Sequence, residues 1–530
     1  VPYTFVPDPN SIDEIRSGIC LFDELWLYCI HPDTFIHEGD NIVRASEFNS
    51  KYTDSFVFDK EKSLASDGFR KSDVFGHYHT PSEKKELYKI STRNRNIITS
   101  GEHIFYTLTS ERNFWCYMKH PKNREYYPKS HNAFTEKPAK ELRKGDRVLM
   151  AYRLPEPQKE LLESELAGLV GYVTGDGTIN HPHRSLIHID DRDKPNLLAY
   201  KKMLEKFGFS FSFFKHKNSN CWRMRIFGKE KILPILEKIR DASHETTGKT
   251  TKITKVPVCI KSSNNKVLGS YLRGIFDAEG SIRMDKSLQK PTLRIQILMT
   301  NKKLMEELKY LLLRFGIESS RLFETHSHAP SGTPVTAYTF FIKDVLSLNN
   351  FKNEIGFLAP AKRKKLSLIP KYKTKRHIIG SKEIGFITSI EKIKADTDYM
   401  FDMRVPKEQN YIANGFVVHN CDSRLSSSGR NKFVTKVLLK SRKRDLDILY
   451  TTQSLGQVDT RIRRISDFIC IPSFNEATGK CIARIYTHPS GYLLKVLKFD
   501  GRKIFPLYDT SEEIELPPDE PEKPKKKKEE

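Results

Sequence analysis

The chain has 530 residues, with 90 Lys and Arg against 66 Asp and Glu and a formal net charge of +24. That length allows three or more cores, and that charge favours a polyanion over an acidic small molecule as partner. Its eight cysteines have no CxxC pairing, which excludes a structural zinc framework or a secreted disulfide scaffold, and no apolar run reaches membrane-spanning length, so reduced thiols, a cytoplasmic setting and no membrane partner are expected.

In chain order, residues 19–28 form an apolar run holding Asp23 and Glu24, which reads as a buried strand. The string Cys29-Ile30-His31-Pro32-Asp33-Thr34 follows, and Ser100-Gly101-Glu102-His103 and Gly145-Asp146-Arg147-Val148 come later. Two stretches are alike: Leu169-Val170-Gly171-Tyr172-Val173-Thr174-Gly175-Asp176-Gly177 and Leu272-Arg273-Gly274-Ile275-Phe276-Asp277-Ala278-Glu279-Gly280. Each is followed by β-rich sequence and then by a helix closing on Phe-Gly, at Gly208 and Gly316, so an internal repeat is expected. Gly171 with Gly175, and Gly274 with Ala278, put small residues on one face of each motif helix and let two backbones approach closely. Such a pair sets Asp176 and Glu279 side by side at negative helix ends, an arrangement that favours a cation between them.

Lys255 stands just before Val256-Pro257, and Arg223, Arg225, Arg283, Lys286 and Arg294 occupy strand-like positions where basic side chains suit a polyanion. The alternation Phe386, Thr388, Ile390 and then Met403, Val405, Ile412, Phe416, Val418 predicts short strands, running into Ala413-Asn414-Gly415-Phe416-Val417-Val418-His419-Asn420-Cys421. Beyond it, residues 437–444 read as a helix, residues 447–453 as a strand, and the Lys-, Glu- and Pro-rich tail after about Pro517 as disordered.

The strings at Cys29 and at residues 413–421 resemble the two ends of an intein. The resemblance implies that Cys29 moves the Tyr28 acyl group from nitrogen to sulfur while His103, in a box similar to TxxH, polarises the scissile amide. Cys421 would then take the acyl group, and Asn420 would cyclise with His419 assisting, with no cofactor for splicing. Phe401-Asp402-Met403-Arg404-Val405 resembles the family's YDLxV strand, which makes Asp402 the residue tuning the junction thiols. Gln409 stands where many relatives carry His, so slower Asn420 cyclisation is expected.

The repeated motif resembles that of LAGLIDADG homing endonucleases. It implies Mg²⁺ held by Asp176 and Glu279, Lys255 as a helper, a long asymmetric double-stranded DNA site and a monomeric endonuclease. The flanks resemble FtsK/HerA-type P-loop ATPases, including viral packaging motors, with Asp23 on Mg²⁺ and Glu24 polarising water. No GxxxxGK[ST] loop occurs in the 530 residues, so ATP and Mg²⁺ binding, and a homo-oligomer, are expected only of a complete host.

The implied architecture is multidomain. Residues 1–28 are a host ATPase fragment, and residues 29–155 the first part of an all-β Hint horseshoe. Residues 156–375 form an α+β endonuclease of αββαββα halves related by a pseudo-twofold axis. Residues 376–420 complete the Hint horseshoe, and residues 421–530 return to the α/β host. Two rivals stay open: an ATPase motor with an inactive insertion, and Hint autoprocessing without ligation.

Overall fold

The computed structural model describes residues 29–48, 53–58, 69–74, 76–82, 85–108, 134–180, 186–216, 220–245, 250–285, 292–328, 332–369, 376–405, 409–419, 468–475, 478–487 and 490–500. By internal contacts the chain separates into Leu27–Cys421 and a second unit formed by Val1–Trp26 with Asp422–Glu530. Among the described residues no helix is long and apolar enough to cross a membrane.

The first unit contains an antiparallel β body built from two distant stretches of sequence. Its seven-stranded sheet runs Ile378–Ile379, Lys382–Phe386, Arg147–Ala151, Phe416–His419, Ile104–Leu108, Phe134–Pro138, with Asn410–Ala413 also paired to Phe416–His419. Strands from before and after the central region therefore interleave, and Ser389–Ile393 likewise pairs with Leu87–Ser91. Asn410–Ala413 and Phe416–His419 form a two-residue hairpin through Asn414 and Gly415, both at positive φ (+47° and +79°), as a tight Asn-Gly turn between twisted strands requires. Buried Ile36, Ile90, Ile97, Phe105, Val148, Phe416 and Val418 fill the space inside.

Between the two stretches lies an α/β body of two halves. The first runs α1 (Ser164–Asp176), β1 (Gly177–Asn180), β2 (Leu186–Asp191), α2 (Lys194–Leu204), β3 (Ser210–Lys215), β4 (Trp222–Phe227), α3 (Lys229–Lys238). The edge strands β5 (Ser243–Glu245) and β6 (Thr250–Ile253) extend its sheet. The second runs α4 (Asn265–Ala278), β7 (Gly280–Asp285), β8 (Thr292–Met299), α5 (Lys302–Leu311), β9 (Phe323–His328), β10 (Pro334–Ile342), α6 (Val345–Asn350), and ends in α7 (Pro360–Leu366). Strand order is β1-β2-β4-β3 in one sheet and β7-β8-β10-β9 in the other, so the repeat expected from sequence is a repeat of topology. α2 and α5 each tighten into a 3-10 turn and stop at Gly208 and Gly316 (φ +65° and +64°), the left-handed conformation glycine adopts without strain.

In the second unit, Phe468–Asn475, Lys480–Thr487 and Leu493–Asp500 form an antiparallel meander. Sequence reading assigned residues 421–530 an α/β pattern. Of that stretch the described residues are these three strands, along which apolar and polar residues alternate unevenly. The helix at 437–444, the strand at 447–453, and Asp23 and Glu24 lie outside the described residues.

Candidate functional site

The two motif helices, α1 and α4, touch backbone to backbone. A Cβ on Gly171 would fall 2.0 Å from the Tyr271 carbonyl oxygen, and one on Gly274 would fall 2.2 Å from that of Gly168. Around this crossing pack Leu169, Tyr172, Tyr271, Leu272 and Ile275, all fully buried. A Cβ on Gly175 would meet Ala278 Cβ at 2.7 Å and Glu279 Cγ at 2.9 Å, so the glutamate side chain lies over the last turn of α1. Asp176 is the final residue of α1 and Glu279 the C-cap of α4.

The two carboxyls are raised by different neighbours. Burial, then Asp191 and Asp190, raise the Asp176 carboxyl above its ordinary range. Burial, then Asp176, push Glu279 up to about 7. The neighbouring acids already have partners. Asp190 forms a bidentate pair with Arg223 at 2.7 and 2.6 Å, and Asp191 accepts from Tyr172 Oη at 2.7 Å and Asn196 Nδ2 at 2.9 Å. Among the described residues no third His, Cys, Asp or Glu gathers with them into a metal-binding cluster.

The cation acting on both acids is Lys362. Its Nζ donates to the Phe276 carbonyl oxygen at 3.2 Å and to that of Asp277, at the C-terminal end of α4. Asp277, buried, fixes that approach by accepting from the backbone N–H of Leu358 (3.0 Å) and Ala359 (3.1 Å), which lead into α7, and from Tyr200 Oη at 2.9 Å. Sequence reasoning missed Lys362, because nothing local separates it from Lys364 and Lys365. Lys255, the lysine chosen from sequence, is exposed.

Cys29, His103, Asp402 and His419, singled out from sequence, all lie in the β body. Cys29 is buried; its N–H donates to Ser100 Oγ at 3.0 Å, and its carbonyl accepts from Ser100 N–H at 2.9 Å. Ile30 bridges antiparallel to both Thr99 and Phe401, which puts Ser100 and Asp402 opposite Cys29 in register. Asp402 Oδ1 accepts from Met403 N–H at 2.8 Å and Tyr411 Oη at 3.1 Å. His103, fully buried, closes the turn after Ser100 and meets the Phe105 ring edge-on at 5.8 Å. Phe105 in turn faces Val418, the residue before the buried His419. The stretch 99–105 thus runs from the partner of Cys29 to the strand ending in His419. Gln409 has φ +59° and donates its N–H to the Val405 carbonyl at 3.1 Å. Tyr28, Asn420 and Cys421 lie outside the described residues.

The LAGLIDADG-like domain family matches residues 163–240 and 266–356, the two halves of the α/β body. This chain carries a LAGLIDADG-like domain. Curated relatives include a glutamine–fructose-6-phosphate aminotransferase of Methanocaldococcus jannaschii, 26% identical over 57% of this chain and 25% of that protein. An ATP-dependent DNA helicase of the same organism is 24% identical over 72% of this chain and 29% of its own length, and a DNA polymerase of a Thermococcus species is 26% identical over 32% and 10%. The chain therefore spans less than a third of the length of these relatives. A solved structure of I-DmoI in complex with DNA and Mn is 17% identical, covers 36% of this chain and 96% of that one, and has a TM-score of 0.24.

On the sheets of the LAGLIDADG-like domain, the basic residues singled out from sequence differ in what they touch. Arg223 is committed to Asp190, Arg225 lies 4.4 Å over the Phe214 ring, and Arg294 lies 5.1 Å over that of Phe341. Arg283 is exposed on β7 across from Arg294, and Lys286 lies outside the described residues.

Proposed function

We propose that the LAGLIDADG-like domain is a metal-dependent endonuclease that cuts a long asymmetric site in double-stranded DNA. The observation that carries this reading is the helix crossing, which brings Asp176 and Glu279 together at the ends of α1 and α4, with the Asp176 charge raising the Glu279 carboxyl. Two raised carboxylates, with no third His, Cys, Asp or Glu gathered beside them among the described residues, fit Mg²⁺, which keeps several waters and completes its shell with phosphate oxygens. When bound, the metal activates water and stabilises the leaving oxygen at each scissile phosphate. Asp176 and Glu279 supply one carboxylate for each strand, and Lys362 balances their charge from the α7 side. Both halves lie in one chain, so a single molecule holds both acids and acts as a monomer. Arg283, Arg225, Arg294 and Lys286 are the groups proposed to face DNA, while Arg223 needs Asp190 to release it.

Residues 29–420 are further read as a self-splicing segment with a Hint-type β body. Ser100 and Asp402 opposite Cys29, and the short path through His103 to His419, support this reading. Similarity to proteins as different as an aminotransferase, a helicase and a polymerase, each over less than a third of its length, also fits a portable insert. In this reading Asn420 cyclises, Cys421 receives the Tyr28 acyl group, and a cytoplasmic host is restored. The host is proposed on sequence resemblance as a P-loop ATPase using Asp23 and Glu24.

Expression of the full chain tests the splicing half. Excision yields the segment 29–420 and a ligated 1–28/421–530 product by mass; cleavage without ligation yields separate flanks; an unchanged chain rejects the proposal. Incubation of the purified protein with DNA carrying the uninterrupted host gene, with Mg²⁺ or EDTA, tests the nuclease half. Absence of Mg²⁺-dependent ends rejects it.

A further inference from the structure

Cys29 sits in apolar surroundings, packed with Leu87 and Met400 and with Ile98 and Ile393 beside them. Such surroundings favour the neutral thiol, whereas the attacking species is the thiolate. A charged group reaches into this apolar ring: Lys85 Nζ lies 3.4 Å from Cys29 Sγ. Its backbone is anchored, since Lys85 N–H donates to the Ser82 carbonyl at 3.0 Å and Ser82 N–H to that of Asp398 at 2.9 Å.

Among the described residues, other ionisable groups on the packed elements have partners of their own. Glu86 pairs with Lys392 and accepts from Tyr88 Oη, Glu102 pairs with Lys140, His31 Nε2 lies 3.1 Å from Asp396, and Asp402 accepts from Tyr411. His103 is buried in the turn behind Ser100.

We propose that Lys85 is a positioning residue for the splicing step: its ammonium pairs with the Cys29 sulfur and holds it as the thiolate that attacks the Tyr28 carbonyl carbon. The proposal rests on the splicing reading above. In the step, the Sγ–C bond forms as the Tyr28–Cys29 C–N bond breaks, and the proton given up by the thiol ends on the departing amine. The reaction is an isomerisation and needs no co-reactant.

The test uses the full chain with Asn420→Ala and Cys421→Ala, which halt the sequence after the first shift. Thiolate absorbance is titrated against the same chain carrying Cys29→Ala, and hydroxylamine cleavage at Tyr28–Cys29 is timed across pH. Lys85→Met is expected to raise the thiolate midpoint by about one pH unit or more, slowing cleavage roughly tenfold at neutral pH with the rates converging in alkali. Lys85→Arg is expected to restore both. An unmoved midpoint in Lys85→Met, or an equal loss at every pH that Lys85→Arg does not rescue, overturns the proposal. A midpoint that moves in a chain that never cleaves overturns the splicing reading and leaves the Lys85–Cys29 pair standing. Cleavage with an unmoved midpoint overturns the pair alone.

Discussion

At Glu279 a carboxyl ordinarily ionising near 4.5 is pushed up to about 7 by burial and by Asp176, so the metal-free fold prefers it protonated. A group raised in this way stabilises the folded state below its unfolded value, and that contribution is lost as pH climbs from about 4.5 to about 7. In EDTA, Glu279→Gln is therefore expected to melt higher than the parent at about pH 8, by on the order of 2 kcal/mol after discounting for solvent, and nearly level with it at about pH 5. Thermal melts at the two pH values check this, and Mg²⁺ should raise the parent melt but not that of the variant. Asp176→Asn and Glu279→Gln should each abolish DNA cleavage while leaving splice products unchanged by mass. Lys362→Ala should slow cleavage about a hundredfold, measured in single turnover, as loss of a preorganised charge does. The two acids were legible because a motif repeats around them. Lys362 was not, because its place depends on hydrogen bonds from Asp277 to a segment far along the chain.

The helix crossing is the element on which the LAGLIDADG-like domain turns. Gly171→Ala would drive a methyl to 2.0 Å from a backbone oxygen, and backbone cannot swing aside as a side chain can. The helices would have to separate, at a cost of about 3 kcal/mol or more, and cleavage should fail with them. Gly168 lies on the same helix, but its added Cβ would meet nothing nearer than 3.5 Å. Gly168→Ala should be neutral or stabilising by up to about 1 kcal/mol, since alanine is the better helix former. Denaturation of the two variants side by side reads the difference. Residue spacing predicted this close approach, as alternation predicted the short strands on either side of Asn414-Gly415, but the hairpin that joins them came from the structure. The meander at residues 468–500 was not read from sequence, because its strands lack the clean two-residue alternation that marks a half-buried sheet.

Across Leu27–Cys421 the β body and the LAGLIDADG-like domain are less separate than sequence boundaries suggest. Phe35 stacks on Tyr310 at 4.9 Å, Arg44 pairs with Glu306 at 2.8 Å, and Arg95 bonds to Glu318 at 3.1 Å and to the Ala151 carbonyl at 2.6 Å. Phe35, Ile42, Phe56 and Ile412 belong to the same apolar cluster as the α/β core. Replacing residues 156–375 by a short linker should therefore slow splicing and open the β body to limited proteolysis. Arg95→Met should destabilise by about 2 kcal/mol, because the largely enclosed Glu318 would keep Arg376 but lose its closer partner, and the Ala151 carbonyl would lose a donor. By itself the sequence determined the local chemistry: which helices carry small residues and acids, where turns fall, and which strings resemble splice ends, since periodicity and turn residues act over a few positions. Only the tertiary structure decided that Lys362 joins the acids, that Lys85 reaches the Cys29 sulfur, and that two bodies share one core, because those contacts join residues whose separation along the chain leaves no local pattern to read.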